Sequence, residues 1–102
     1  MRTLTPVNGQ WSEEANAWVS ETLFLTGEHW LELSLPAKGR IVVKMADTAE
    51  GPFPKALISK WAGPDFSIRI YGSDVGHFFR FYLTNTPTTI QIVDLNKQDG
   101  GT

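Results

Sequence analysis

Cysteine is absent from the chain, and histidine occurs only at His29 and His77. The lack of cysteine excludes disulfide bonds, thiolate chemistry and a zinc site built on sulfur. A zinc site needs three or four protein ligands, and two histidines alone cannot supply them. Both histidines stand at the start of predicted strands, so we interpret them as structural and predict no metal and no other cofactor.

Clustered positive charge is also lacking along the sequence. The nine Lys and Arg residues are scattered, and the net charge is −2. Affinity for nucleic acid depends on clustered cations that neutralise phosphate groups. The sequence therefore predicts no nucleic-acid partner.

Long apolar runs are missing as well. No window reaches the roughly 18 apolar residues that a membrane-spanning helix needs, so no membrane partner is predicted. Residues 1–6 contain no apolar stretch of signal-peptide length. We therefore expect synthesis in the cytoplasm, with any release by a route that needs no signal peptide, such as cell lysis.

Familiar catalytic motifs are not found. The chain has no Gly-x-Ser-x-Gly elbow, no glycine-rich phosphate loop and no His-Glu-x-x-His. A serine nucleophile would need a histidine base and an orienting acid, and no local pattern supplies them. The acidic residues at 47–50, with Asp65 or Asp74, could offer oxygen ligands to calcium, but a solvated loop explains them better. We predict that the protein is not an enzyme.

The main pattern in the sequence is the alternation of apolar and polar side chains with a period of two residues. Its 102 residues are enough for one domain. Seven segments separated by turn residues are predicted as strands: 17–25, 29–35, 40–45, 55–61, 66–71, 77–84 and 88–95. Short strands at this spacing predict an all-β fold, an antiparallel β-sandwich of about seven strands. The strand order stays open between an immunoglobulin-like and a jelly-roll topology.

Polar and turn-forming residues fill both ends of the chain. They predict an N-terminal arm at residues 1–16, a sandwich domain at 17–95 and a polar C-terminal tail at 96–102. Within the arm, Ser12 is placed to cap a single helical turn. We expect the apolar side chains of the arm, Leu4, Val7 and Trp11, to anchor it on a partner.

Aromatic residues on the polar side of the alternation predict a contact surface. Trp18, Trp30, Tyr71 and Tyr82 lie opposite the apolar faces, and Arg80 accompanies them. Trp, Tyr and Arg are enriched at protein interfaces, so these residues form the predicted interface. Two alternatives stay open: a register shifted by one residue would bury the rings, or exposed rings could stack on sugars.

Four segments of the chain resemble a known protein family. Their pattern is a glycine followed by alternating Val and Ile, then a loop, and later a strand that combines arginine with aromatic residues. The segments are 19–22, 39–44, 78–82 and 88–92, with the sequences VSET, GRIVVK, FFRFY and TTIQI. They resemble small β-sandwich proteins of tailed-phage virions. The resemblance implies a part in capsid decoration or in a tail or fibre tip, with other virion proteins or further copies as partners.

The leading hypothesis is therefore a non-enzymatic structural protein of a phage-like virion that acts through protein–protein contacts as a homo-oligomer or on a repeating lattice. The alternative is a carbohydrate-binding or receptor-binding β-sandwich module, which predicts that Trp30, Trp61 or Tyr71 is exposed.

Overall fold

Ten strands and no helix make up the part of the chain that the computed structural model describes, residues 3–50, 55–63, 65–72 and 74–94. At residues 3, 4, 55–57 and 62 the description covers the main chain. The strands are Thr3–Pro6 (β1), Gly9–Ser12 (β2), Ala17–Ser20 (β3), Leu23–Leu25 (β4), Glu28–Ser34 (β5), Gly39–Ala46 (β6), Lys55–Ala62 (β7), Asp65–Tyr71 (β8), His77–Leu83 (β9) and Thr89–Asp94 (β10). The prediction of an all-β fold is confirmed.

Two antiparallel sheets form the sandwich. The small sheet has the order β1-β10-β5-β8, and the large sheet has the order β2-β3-β9-β6-β7, with β4 also paired to β9. Between the sheets lies a core of aliphatic and phenylalanine side chains that the two-residue alternation turns inward. Its fully buried members include Leu31, Ile41, Val43, Ile70, Phe79, Phe81 and Leu83.

Strand pairing is nested, which decides the topology. The first strand pairs with the last (β1 with β10), β3 with β9, β5 with β8, and β6 with β7, so the chain is one long hairpin folded over on itself. The contacts of β10 with β5 and of β9 with β6 then complete the two sheets. This is the jelly-roll arrangement, which settles the choice that the sequence left open.

The segment predicted as an arm lies within the sheets. β1 is an edge strand of the small sheet, and β2 is an edge strand of the large sheet. The chain passes from one sheet to the other at Val7, which is buried and donates its backbone N–H to Ile90 O at 3.0 Å. The predicted boundary at residue 16 therefore does not separate an arm from the sandwich.

The helical turn predicted around Ser12 is instead the turn of the β2–β3 hairpin. Ser12 Oγ accepts a hydrogen bond from the backbone N–H of Ala15 at 3.2 Å, which is the kind of contact that the capping prediction required. Asn16 then adopts φ 53°, a left-handed conformation that asparagine tolerates, and the chain turns back into β3.

The predicted strand at 17–25 is divided into β3 and β4 by an irregularity. Trp18 pairs with Leu83 in β3, but Leu23 pairs with Phe79 in β4, so the register against β9 shifts by one residue between them. The inward side chains change accordingly, from Trp18 and Ser20 to Leu23 and Leu25. The expectation that Trp18 points outward is wrong, because an extra residue in a strand exchanges its two faces.

The predicted tail at residues 96–102 lies outside the described residues. Within the described ranges, no helix is long and apolar enough to cross a membrane.

Candidate functional site

The outer side of the large sheet carries a mixed cationic and aromatic surface. Alternation along β6 turns Ile41 and Val43 into the core, so Arg40, Val42 and Lys44 point outward. Directly paired residues lie on the same side of a sheet. We call this surface the basic–aromatic face and define it by Arg40, Val42, Lys44, Trp61, Arg80 and Tyr82.

Trp61 is the most exposed aromatic residue of this face, with 61% of its surface accessible. It lies opposite Arg40 across β6 and β7. The guanidinium of Arg40 lies 5.5 Å from the ring centre, and the ammonium of Lys38 lies 5.8 Å from it. Arg40 Nε also donates a hydrogen bond to Ser59 Oγ at 2.9 Å. The indole and two cations thus form one exposed group at the β7 edge.

Tyr82 and Lys44 form a second cation–aromatic pair near the middle of the face. The Lys44 ammonium lies 4.8 Å from the centre of the Tyr82 ring, and both side chains are half-buried. Arg80 is also half-buried, and its Nε donates to Thr22 Oγ1 at 2.8 Å. These contacts fix the direction of the cations before any partner arrives, which lowers the entropy cost of binding.

A groove of about 340 Å³ runs between the β2–β3 hairpin and this face. Its lining includes Ala15 and Ala17 on the hairpin side and Arg40, Val42, Lys44 and Tyr82 on the sheet side. The floor of the groove is apolar, and cations lie on its sides. The groove therefore suits an apolar side chain of a partner that has a carboxylate close to it.

Charge is separated between the two sheets. The six strands of the large sheet contain five Lys or Arg residues and no Asp or Glu. The four strands of the small sheet contain four Asp or Glu residues and one Arg. Cations that are scattered along the sequence are therefore gathered into one sheet.

The outer side of the small sheet is the complementary surface. We call it the acidic face and define it by Glu28, Trp30, Glu32, Asp65, Arg69 and Tyr71. Its single cation is shared, because Arg69 lies 5.2 Å from the Trp30 ring centre and 3.3 Å from a Glu28 oxygen. The other two carboxylates accept hydrogen bonds from neutral groups. Gln91 Nε2 donates to Glu32 at 3.1 Å, and Ser34 Oγ donates to Asp65 at 3.3 Å.

The predicted interface residues do not form one surface. Val7 and Trp18 belong to the core, and Trp11, paired with Trp18, is 44% exposed at the sheet edge. Leu4 pairs with Val93, but its side chain lies outside the described residues. The remaining four divide between the two outer faces: Trp30 and Tyr71 lie on the acidic face, and Arg80 and Tyr82 lie on the basic–aromatic face.

Four residues of the basic–aromatic face were not among the predicted interface residues: Arg40, Val42, Lys44 and Trp61. The alternation of β6 already pointed Arg40 and Lys44 outward, and this was the signal available in the sequence. The sequence does not reveal that β7 and β9 lie on either side of β6. This strand order brings Trp61 and Tyr82 beside these cations.

The two histidines each lie near one aspartate. Nδ1 of the half-buried His77 lies 3.4 Å from Oδ1 of the exposed Asp47, and Nε2 of the buried His29 lies 3.9 Å from Oδ1 of the half-buried Asp94. Burial lowers the pKa of His29, and the charge of Asp94 opposes that effect. No group of three His, Asp or Glu side chains that could hold a metal ion occurs in the described ranges.

Comparison of the chain with protein-family models, with curated proteins and with solved structures finds no match.

Proposed function

We propose that the protein is a non-enzymatic structural component that assembles through protein–protein contacts at its basic–aromatic face, with a phage-type virion as the setting. The observation that carries the proposal is Trp61, a large apolar ring left 61% exposed on a sheet whose strands contain no acid. Trp and Arg are among the residue types that most often dominate a protein interface.

The arrangement of the rings favours a protein partner over a sugar. A sugar stacks on the open side of an aromatic ring, whereas Trp61 and Tyr82 each have a cation within 6 Å of the ring centre. A protein partner that presents carboxylates can use both the cations and the apolar ring edges. Jelly-roll domains occur in viral capsids and also in lectins, so the fold is compatible with either function and does not decide between them.

The proposal is tested by capture from the cells in which the protein is made. The tagged full chain, a double variant Arg40→Ala/Trp61→Ala and a control Val75→Ala would be purified in parallel, and co-purifying proteins would be identified by mass spectrometry. Val75 is 78% exposed and lies in the β8–β9 turn, away from the face. We expect a defined set of partners that the control retains and the double variant loses. Equal recovery with all three chains would contradict the proposal.

Carbohydrate or receptor binding is the second candidate, because Trp61 and Tyr71 are both exposed as that hypothesis predicted. It is tested by following Trp fluorescence during titration with a panel of glycans, using Trp61→Phe and Tyr71→Ala to locate the site. A saturable change that disappears in one variant would favour this function. A flat response would leave protein–protein assembly as the better explanation.

A further inference from the structure

The two outer faces differ in formal charge as well as in position. The basic–aromatic face presents three cations, Arg40, Lys44 and Arg80. The acidic face presents three carboxylates, Glu28, Glu32 and Asp65, with the one guanidinium of Arg69. Each face therefore offers the charge that would attract the other.

Like charge excludes the symmetric alternatives. Two basic–aromatic faces, or two acidic faces, would bring like charges together across an interface, which costs several kcal/mol where water is excluded. Only contact between unlike faces turns the charge separation into attraction. Such a contact is heterologous, since different patches of the two copies meet.

Apolar rings on both surfaces complete the match. Trp61 is 61% exposed on one face, and Tyr71 is 57% exposed on the other. Exposed ion pairs contribute little alone, about 0–1 kcal/mol each, so the rings must supply most of the affinity while the charges set orientation.

From these observations we infer that the basic–aromatic face docks on the acidic face of a second copy of this chain. The inference rests on the proposed function and names the partner. Because the two faces of a sandwich point in opposite directions, each copy that docks presents a fresh face of each kind. The assembly is then an open stack whose growth continues until a different protein caps it.

The first experiment measures the mass of the purified full chain by sedimentation velocity over a range of concentrations. At low salt we expect a mass that rises with concentration without a fixed end point. Raising the salt from about 0.1 M to about 1 M shortens the screening length from roughly 10 Å to 3 Å, so association should weaken while the contribution of the apolar rings remains. A chain that stays monomeric at every concentration and low salt would overturn the inference.

The second experiment uses one charge reversal on each face, Arg40→Glu and Asp65→Lys. Both side chains are exposed, and circular dichroism would check that each variant folds. Each variant alone should associate at least about tenfold more weakly than the wild type. An equimolar mixture should recover association, because the intact acidic face of one variant meets the intact basic–aromatic face of the other. No recovery in the mixture would overturn the inference.

Matched controls carry the same charge changes away from both faces. Lys60→Glu lies at the β7 edge on a position paired with Ile41, and Asp74→Lys lies in the exposed β8–β9 turn. Neither change should weaken association. If the control variants weaken association equally, the cause is net charge, and the inference is overturned. Binding of single-stranded DNA is measured at the same salt concentration. If the DNA binds as tightly as a second copy does, the face is a general polyanion site, which would also overturn the inference.

The proposed assembly function and the inferred stacking of copies can be contradicted independently. A monomeric wild-type chain refutes stacking, but the proposed function stands if capture still finds partners that depend on Arg40 and Trp61. Stacking that persists while capture finds no such partner leaves self-association in place and refutes a wider assembly role.

Discussion

Ser20 Oγ accepts a hydrogen bond from the backbone N–H of Phe81 at 2.9 Å and donates one to Glu21 O at 2.8 Å. This buried hydroxyl lies where the register between β3, β4 and β9 shifts by one residue. A side chain thus takes the place of a backbone acceptor at the irregularity, and it keeps an interior N–H from being left without a partner.

Ser20→Ala should lower the free energy of unfolding by about 1–3 kcal/mol, because it leaves the buried N–H of Phe81 without its acceptor. Urea denaturation measures the change. Ser67→Ala, on the exposed side of β8, is the matched control and should alter stability by less than about 0.5 kcal/mol. Equal effects of the two substitutions would contradict the role given to Ser20.

Stability should fall as the pH decreases below the ordinary histidine pKa of 6.5, through His29. Burial lowers the pKa of His29 in the folded state, and this outweighs the nearby Asp94 charge, which raises it. The unfolded chain therefore takes up the proton first, and the free energy of unfolding falls until the folded-state pKa is passed.

Urea denaturation between about pH 5 and pH 8 measures this slope, since histidine is the side chain that titrates there. His29→Gln should remove most of the slope in that window. His77→Gln should leave the His29-dependent part in place, and a slope that survives His29→Gln unchanged would show that another group causes it.

Gly72→Ala should destabilise the fold by about 1–3 kcal/mol, because a Cβ at this position would overlap the carbonyl oxygen of Leu25. That oxygen is backbone and cannot move aside as a flexible side chain can. Gly63→Ala is the control, since no atom lies within 4 Å of its would-be Cβ, and it should change stability by less than about 0.5 kcal/mol. Thermal unfolding of the two variants compares them directly.

Val7→Ala should cost about 1.5–2.5 kcal/mol, from two lost methyl groups and the space they leave in the core. Val75→Ala removes the same atoms from a side chain that is 78% exposed and should have little effect on chemical denaturation. A similar small effect of both substitutions would mean that Val7 is not a core residue.

Deletion of residues 1–11 should abolish cooperative unfolding, because it removes β1 from the small sheet and most of β2 from the large sheet. Circular dichroism with a thermal ramp would detect the loss. A truncated chain that still melted cooperatively near the wild-type temperature would restore the view of these residues as a separable arm.

Local alternation was enough to predict the strands but not their neighbours. β5, β6, β8 and β9 are where the two-residue period placed them, and their alternate apolar side chains are buried in the core. Trp18 was placed on the wrong face because the register shift after Ser20 has no signal in the apolar pattern. β1 and β2 are short and turn-rich, and only their partners β10 and β3 make them strands.

The charge separation could not be predicted without the strand order. Arg40, Lys44 and Arg80 are scattered in sequence, and the net charge of −2 conceals a cationic sheet and an acidic one. Once β9 is known to lie between β3 and β6, the same residues become neighbours. The position of Trp61 beside Arg40 also follows only from the strand pairing.

The nested pairing also sets the order in which the chain can be built. Thr3 meets Asp94 across β1 and β10, about ninety positions away, whereas Gly39 meets Ala62 across β6 and β7 within a much shorter span. If β1 and β10 paired first, the entropy cost of closing a very long loop would be offset by few contacts. Once the inner hairpin has formed, each further strand pair closes only a short additional loop. The protein should therefore fold from its middle outward, so that the strands that carry its two outer faces, β5 to β9, pair before the first and last strands meet.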